Sequence, residues 1–287
     1  MRINMNAKKL AVATSFGLAL AAGQGAYAGT GGSPQAIQQA IGANSVDAIK
    51  AELERAEFLV CGACVDLVTP LVDHPDARVR QVAAWWLARR AVSRQLQTSM
   101  ITRLSQADST AALNAADVLG ELHYVSSIPA LGAALSNPIF SGAARAEMAK
   151  ALGTIGRPAG LPYLTSALGD GEPQVRAASL VALRTIRGNR DGSVAVALVA
   201  DGDEGVRAQA VTTLGMFKYG AAAPALTSAL ASDSSATVRK KAAWALGEIG
   251  APSSIAGGTL QNAATSDPSP LVRSLSRAAL TKLTIAQ

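Results

Sequence analysis

The cysteine pair Cys61-Gly-Ala-Cys64 has the most specific chemical spacing in the sequence. C-x-x-C is shared by thiol-disulfide redox motifs, by half of a zinc site and by c-type haem attachment. Val65 stands where haem attachment needs a histidine, and a second C-x-x-C is missing, so neither haem nor zinc is expected. The pair is therefore a structural disulfide that closes a short loop, or a redox-active one, and both interpretations stay open.

An arginine that recurs along the chain is the second candidate for chemistry. Stacked at one period, these side chains could form a ladder that binds anionic ligands. Acidic residues in the neighbouring turns offer an alternative, purely structural partner. The recurring arginines are Arg80, Arg145, Arg176, Arg207, Arg239 and Arg273.

Other catalytic patterns are missing from the sequence. No Ser-His-Asp spacing, glycine-rich phosphate loop or paired-carboxylate motif stands out, and we expect His74 and His123 to be structural. The sequence thus predicts no catalytic residue, no metal site and no cofactor.

These arginines belong to a repeated helix pattern, seen best in Val238-Arg-Lys-Lys-Ala-Ala-Trp-Ala-Leu-Gly-Glu-Ile-Gly250. Val238, Ala242, Leu246 and Ile249 recur at helical spacing, and Gly250 provides a C-terminal stop. Seven copies follow one another at intervals of 31 to 34 residues. Such a period predicts a solenoid, because one copy cannot bury its apolar face alone. The copies begin at Val79, Ala111, Ala144, Val175, Val206, Val238 and Val272.

The motif Val-Arg, alanines, Ala-Leu-Gly-x-Ile-Gly resembles the second helix of HEAT-like repeats, in the short form also found in phycobilisome lyases. Typical HEAT units are longer, about 40 to 47 residues. The resemblance implies an all-α, right-handed HEAT-like solenoid of antiparallel helix pairs whose second helices line the concave surface. It also implies that the repeated arginine pairs with carboxylates in the turns of neighbouring repeats, and that the fold mainly makes binding surfaces.

Within each repeat we expect a first helix, a turn and a second helix. In the first recognisable repeat the second helix should run from about Ala77 to Val92. A polar residue in each turn should cap the helix that follows it. These turn residues are Asp108, Asn137, Asp170, Asp203, Asp233 and Asp267.

The chain divides into three parts. Residues 1–28 have the basic start, apolar run and Ala-x-Ala site of a secretory signal peptide. Residues 29–60 are expected to form a flexible lead-in and N-terminal capping helices, and residues 61–287 the seven repeats. Removal of the signal takes away three positive charges and no negative one, so the net charge falls from +6 to +3. The remaining charges alternate in sign, which argues against nucleic acid as a partner.

Positions two and six after the first residue of each copy should face away from the core. Eight of these fourteen residues are apolar, which is unusual for a solvated face and typical of a binding surface. The alternative is that Trp85 or Trp244 is covered by a neighbouring repeat. With arginines at the rim, the predicted anchors are Trp85, Leu113, Tyr124, Val181 and Trp244.

The sequence therefore predicts a non-enzymatic periplasmic scaffold that binds a secreted or membrane-associated protein of the cell envelope. No integral membrane segment is expected after signal cleavage. One alternative is a periplasmic carrier of an apolar lipid, of the sterol or hopanoid type. A second is a thiol-disulfide redox partner acting through Cys61 and Cys64.

Overall fold

The computed structural model describes residues 32–285, without the Ile285 side chain. The expected signal peptide, and all but the last two residues of the expected lead-in Gly29 to Ser33, lie outside this part of the chain. The described residues divide into two compact units, one ending at Pro70 and one beginning at Leu71. This boundary falls inside the first predicted repeat.

The described part of the first unit consists mainly of three short helices. Two of them lie where the sequence predicts N-terminal helices, and each has a serine N-cap: Ser33 accepts the Ala36 N–H, and Ser45 accepts the Ala48 N–H. The third helix starts after Cys61. The helices are α1 (Pro34–Gly42), α2 (Val46–Arg55) and α3 (Gly62–Val68).

In the second unit, one layer contains a helix for each of the seven predicted copies. Consecutive helices of this layer pack side by side. We call it the second-helix layer. Its members are α4 (Ala77–Leu87), α6 (Ser109–Leu122), α8 (Gly142–Ile155), α10 (Pro173–Thr185), α11 (Glu204–Phe217), α13 (Ala236–Glu248) and α15 (Pro270–Ile285).

A second layer contains the helices that alternate with these along the chain, and we call it the first-helix layer. Between α10 and α11 it has no α-helix, and two short 3-10 turns, Ser193–Ala195 and Ala197–Ala200, occupy the place. The helices of this layer are α5 (Ser93–Arg103), α7 (Ile128–Leu135), α9 (Leu161–Ser166), α12 (Ala223–Ser232) and α14 (Ser253–Ser266).

The core lies between the layers and confirms the predicted pattern. Val79, Val175, Val206, Val238 and Val272 are all fully buried. Burying a side chain of this kind stabilises the fold by about 1.5–3 kcal/mol. The leucine eight residues further on is buried in every copy except the last, where Leu280 is half-buried. Among residues 32–285, every helix is too short or too polar to span a lipid bilayer.

Two local predictions were wrong. Helix α4 ends at Leu87, not near Val92, and a separate helix begins at Ser93. Only Asp108 and Asp203 of the six proposed capping residues cap a helix with their side chains. Asn137 binds the N–H of Ile139, and Ser141 caps α8 instead. Asp170, Asp233 and Asp267 lie further from the helix start, and each accepts the N–H two residues on.

Glycines on the second helices allow neighbouring helices to approach closely. A Cβ atom placed on Gly153 would lie 2.8 Å from the Cβ atom and 2.9 Å from the Cα atom of Ala182 on the next helix. Gly120 faces Ala151 and Gly247 faces Ala279 in the same way. The glycines are therefore contact points between repeats.

We predict that Gly153→Ala lowers the free energy of unfolding by about 1–3 kcal/mol, because the added methyl group must push α8 and α10 apart. Gly258→Ala is the matched control, since nothing lies within 4 Å of its added Cβ atom inside α14. That change should stabilise the protein by about 0.5–1 kcal/mol. Denaturant unfolding of both variants checks this, and equal effects at the two positions would contradict the close packing.

Candidate functional site

Cys61 and Cys64 form a disulfide, with a Cα–Cα distance of 5.2 Å. Cys64 is fully buried, whereas Cys61 is half-buried and its Sγ accepts the Cys64 N–H at 3.1 Å. In residues 32–285 no group of three or more His, Cys, Asp or Glu side chains could hold a metal ion.

The two histidines belong to turns and helix ends. His74 accepts the Asp76 N–H at its Nδ1 atom, 3.0 Å away. His123 ends α6 in a left-handed conformation with φ 55°. His74 thus lies in a turn, and His123 lies at the end of a helix.

Four of the repeated arginines form what we call the arginine ladder. Each inserts its guanidinium between two turns and donates from Nε and Nη2 to both oxygens of an aspartate in the next repeat, at 2.7–3.2 Å. From Nη1 it donates to backbone carbonyls of the turn before its own helix. The pairs are Arg145–Asp170, Arg176–Asp201, Arg207–Asp233 and Arg239–Asp267.

The same arginine position behaves differently at the two ends of the second unit. Arg80 bonds a helix residue, the buried Asp117 of α6, and the carbonyl oxygens of His74 and Pro75. Arg273 donates to the carbonyl oxygens of Asp267 and Pro268.

Most of these guanidinium groups are committed to structure. In the ladder pairs the arginine side chains are only 11–15% exposed. The hydrogen bond from Arg176 holds the pKa of Asp201 below its usual range, and Arg239 does the same to the pKa of Asp267. Pairing with turn carboxylates is thus confirmed, and the ladder residues are not available to an anionic ligand.

The residues at positions two and six of each copy are more buried than the helical pattern indicates. Ala146, Ala208 and Asp117 occupy expected outward positions but are buried. The neighbouring helix covers them; Lys241 of α13, for example, reaches the carbonyl oxygen of Ala208 at 3.4 Å. Some of positions two and six therefore line the seams between second helices, and others, such as Val181, stay exposed.

The predicted anchors have different surroundings. Val181 on α10 is 37% exposed, and Leu113 on α6 is half-buried. Trp244 on α13 is half-buried with its ring against Gly215 of α11, so this tryptophan is partly covered by the preceding repeat. Trp85 on α4 is half-buried beneath the guanidinium of Arg89, 4.2 Å from the ring centroid.

Tyr124 lies apart from the other anchors. Its hydroxyl donates to Ser93 Oγ at 3.0 Å, and the guanidinium of Arg94 lies 4.4 Å from its ring centroid. The tyrosine therefore contacts the first turn of α5 in the first-helix layer. The other four anchors belong to helices of the second-helix layer, but each to a different helix.

Two cations on the second helices were missed by the sequence analysis. Arg184 of α10 donates from Nη1 to Gln209 Oε1 at 3.0 Å and to Thr213 Oγ1 at 3.2 Å. Lys241 of α13 donates to Thr212 Oγ1 at 3.0 Å. Both are half-buried, and burial lowers the pKa of each; the charge of Arg184 also lowers the pKa of Lys241.

A sequence signal for one of them existed. Arg184 stands nine residues after Val175, where four other copies have a glycine. A long basic side chain at a position of close helix contact departs from the repeat and could have been noticed.

Acidic groups lie on α6 and α8 of the second-helix layer. Burial raises the pKa of Glu147 on α8, and the neighbouring Asp117 carboxylate raises it further. Burial likewise raises the pKa of Glu121. The layer thus has partly buried carboxyl groups on α6 and α8, and partly buried cations without an acidic partner among the described residues on α10 and α13.

Within the described part of the chain, two clefts of about 330 and 310 Å³ lie along the first-helix layer. One lies between α12 and the Ala197–Ala200 turn and the other between α12 and α14, and ladder pairs contribute to the walls of both. Neither cleft includes a predicted anchor.

Comparisons with known proteins address the family and the fold. The family model for HEAT repeats matches residues 98–184, 139–201 and 193–281. A search of curated proteins found no match.

Several solved structures are similar to this chain. YibA of Escherichia coli is 17% identical, with 88% of this chain and 90% of that chain covered and a TM-score of 0.51. A mutant of Kap121p is 12% identical, with 83% and 32% covered and a TM-score of 0.55. The complex of CpcE and CpcF of phycocyanin lyase from Nostoc is 21% identical, with 76% and 94% covered and a TM-score of 0.42.

We predict that Asp201→Asn lowers the free energy of unfolding by about 3 kcal/mol, because it leaves a mostly buried guanidinium without its counter-charge. A carboxyl whose pKa is lowered by folding stabilises the protein fully above its unfolded pKa and loses that contribution as the pH falls through the folded pKa. The deficit, which is the free energy of unfolding that Asp201→Asn loses relative to the wild type, should therefore be largest near neutral pH. It should shrink below about pH 4.

Unfolding curves from neutral to acid pH test this. Asp66→Asn, at an exposed position of α3, is the control and should change little. A deficit that stays constant down to acid pH would contradict the ion-pair contribution of Asp201.

We predict that replacing Cys61 and Cys64 together by serine lowers the free energy of unfolding by about 2 kcal/mol, as expected for a crosslink over a very short loop. Thermal unfolding under oxidising and reducing conditions checks this. The wild type should shift on reduction by the same amount, whereas the double variant should not respond. Unchanged stability of the variant would contradict a structural role for the disulfide.

Proposed function

We propose that the chain, which belongs to the HEAT-repeat proteins, is a non-catalytic scaffold that binds a protein partner on its second-helix layer. HEAT repeats most often provide extended binding surfaces, which supports a role in protein binding. The partner is proposed to be a secreted or membrane-associated protein of the cell envelope. Export to the periplasm belongs to this proposal and rests on the sequence of residues 1–28.

One observation favours the second-helix layer. Val181 is exposed on α10, and the half-buried Leu113 and Trp244 belong to other helices of the same layer. Apolar groups on a surface that stays ordered without a partner lose little entropy on binding. The arginine ladder joins four successive pairs of repeats and so supplies that order.

We predict that a photo-crosslinking amino acid at position 181 captures the partner in the periplasm of the host, and that one at position 255 does not. Ile255 on α14 is the matched control, because its exposure of 43% is close to the 37% of Val181 and it lies in the first-helix layer. The captured protein should then be purified and its affinity measured.

Val181→Asp should weaken that affinity at least about tenfold, since it places an unpaired charge in an apolar contact, whereas Ile255→Asp should not. Thermal unfolding verifies that both variants are folded. Crosslinking at position 255 alone would place binding on the other layer. A lipid crosslinked at position 181, with no protein, would replace the scaffold by the apolar-lipid carrier.

A further inference from the structure

Two partly buried cations meet on α11 without an acidic partner. Arg184 approaches from α10 and bonds Gln209 and Thr213. Lys241 approaches from α13 and bonds Thr212 and the carbonyl oxygen of Ala208. Ala208 is next to Gln209 on one turn of α11, and Thr212 is next to Thr213 on the following turn. The two positive charges therefore reach the same two turns of this helix, one from α10 and one from α13.

All these acceptors are neutral. Among residues 32–285, no carboxylate lies within ion-pair distance of Arg184 or Lys241. The half-buried Lys240, next to Lys241, adds a third positive charge. A cation removed from water is costly unless an opposite charge compensates it, and such groups are usually paired.

The ladder arginines show which hydrogen-bond partners satisfy a guanidinium group in this protein. In the ladder, Nη1 donates to neutral carbonyl oxygens, and Nε and Nη2 bind both oxygens of one carboxylate. Arg184 has the first half of this arrangement, since its Nη1 donates to neutral acceptors. The described residues provide no acceptor for its Nε and Nη2 atoms. A carboxylate fits this edge through two parallel hydrogen bonds, the strong arrangement for arginine.

Apolar surface adjoins these charges. Val181 lies one helical turn before Arg184 on α10 and is exposed. Trp244 lies one turn after Lys240 on α13 and is half-buried against Gly215. Cations beside apolar groups suit a protein segment that has both acidic and apolar side chains.

We infer that Arg184, Lys240 and Lys241 form a docking site for an acidic segment of the protein partner, whose Asp or Glu carboxylates bind the open guanidinium edge and the two ammonium groups. The inference rests on the proposed function and adds the chemistry of the partner. It places the acidic segment across α10, α11 and α13.

The first experiment measures fluorescence anisotropy with fluorescein-labelled hexaglutamate, with hexaglutamine as the neutral probe. The variant Arg184→Gln with Lys241→Gln should bind hexaglutamate at least about tenfold more weakly than the wild type, because it loses two charge-assisted hydrogen-bond donors. The control, Arg157→Gln with Arg277→Gln, removes the same charge from exposed positions elsewhere and should stay within about twofold. Low salt should strengthen the binding.

Several results would overturn the inference. These are equal binding of hexaglutamate to both double variants, equal binding of hexaglutamine, and displacement of hexaglutamate by sub-millimolar inorganic phosphate, which would indicate a phosphate site. Thermal unfolding shows whether each variant is folded, and Arg184→Lys, which keeps the charge but loses the bidentate edge, should give an intermediate affinity.

Binding measurements with the partner captured through position 181 distinguish the acidic docking site from the scaffold proposal. If this partner binds the Arg184→Gln, Lys241→Gln variant as tightly as the wild type, the acidic docking site is wrong and the scaffold stands. If no protein is captured at position 181 but hexaglutamate binding depends on Arg184, the scaffold surface is wrong and the carboxylate site stands.

Discussion

The hydrogen-bonded bridge from one arginine to two turns is the interaction on which the repeat architecture depends. Arg176 binds the carbonyl oxygens of Asp170 and Gly171 before its own helix and the carboxylate of Asp201 in the next repeat. Asp201 also accepts the N–H of Asp203, so it shapes the turn to which it belongs. One side chain thereby fixes the turn geometry and the spacing between repeats. Since the same bridge recurs in four successive repeats, the position of each second helix follows from that of its predecessor.

Small side chains, together with the arginine ladder, set the distance between neighbouring second helices. The second helices can lie close together because glycine and alanine meet at their contacts, as Gly153 and Ala182 do. A layer of this kind is stabilised by many close contacts between small residues. It contains few large side chains, in keeping with an aromatic content of only 4%. Arg184 places a long basic side chain at a position where four other copies have glycine, and it is also one of the three cations of the inferred docking site.

Much of this fold could be predicted from the sequence, because its strongest signals are local and periodic. The buried valines, the seven second helices and the pairing of Arg207 with a turn carboxylate all follow from one repeated motif. The binding surface could not be predicted as well. A helical wheel places Ala208 outside, but a lysine from the next helix reaches over it, and this contact depends on the packing of two helices. The surroundings of Trp244 and Arg184 were likewise set by contacts between helices, which periodicity alone does not contain.

The repeat between α10 and α11 stands out because 3-10 turns replace its first helix. In a solenoid each repeat contacts only its neighbours, so cooperativity passes along the chain through one interface at a time. With a shorter element in the first-helix layer, the coupling there depends more heavily on the α10–α11 contact and on the Arg176–Asp201 bridge. We therefore expect the second unit to behave as two cooperative blocks that meet at this repeat, and amide hydrogen exchange should begin there before it reaches the helices on either side.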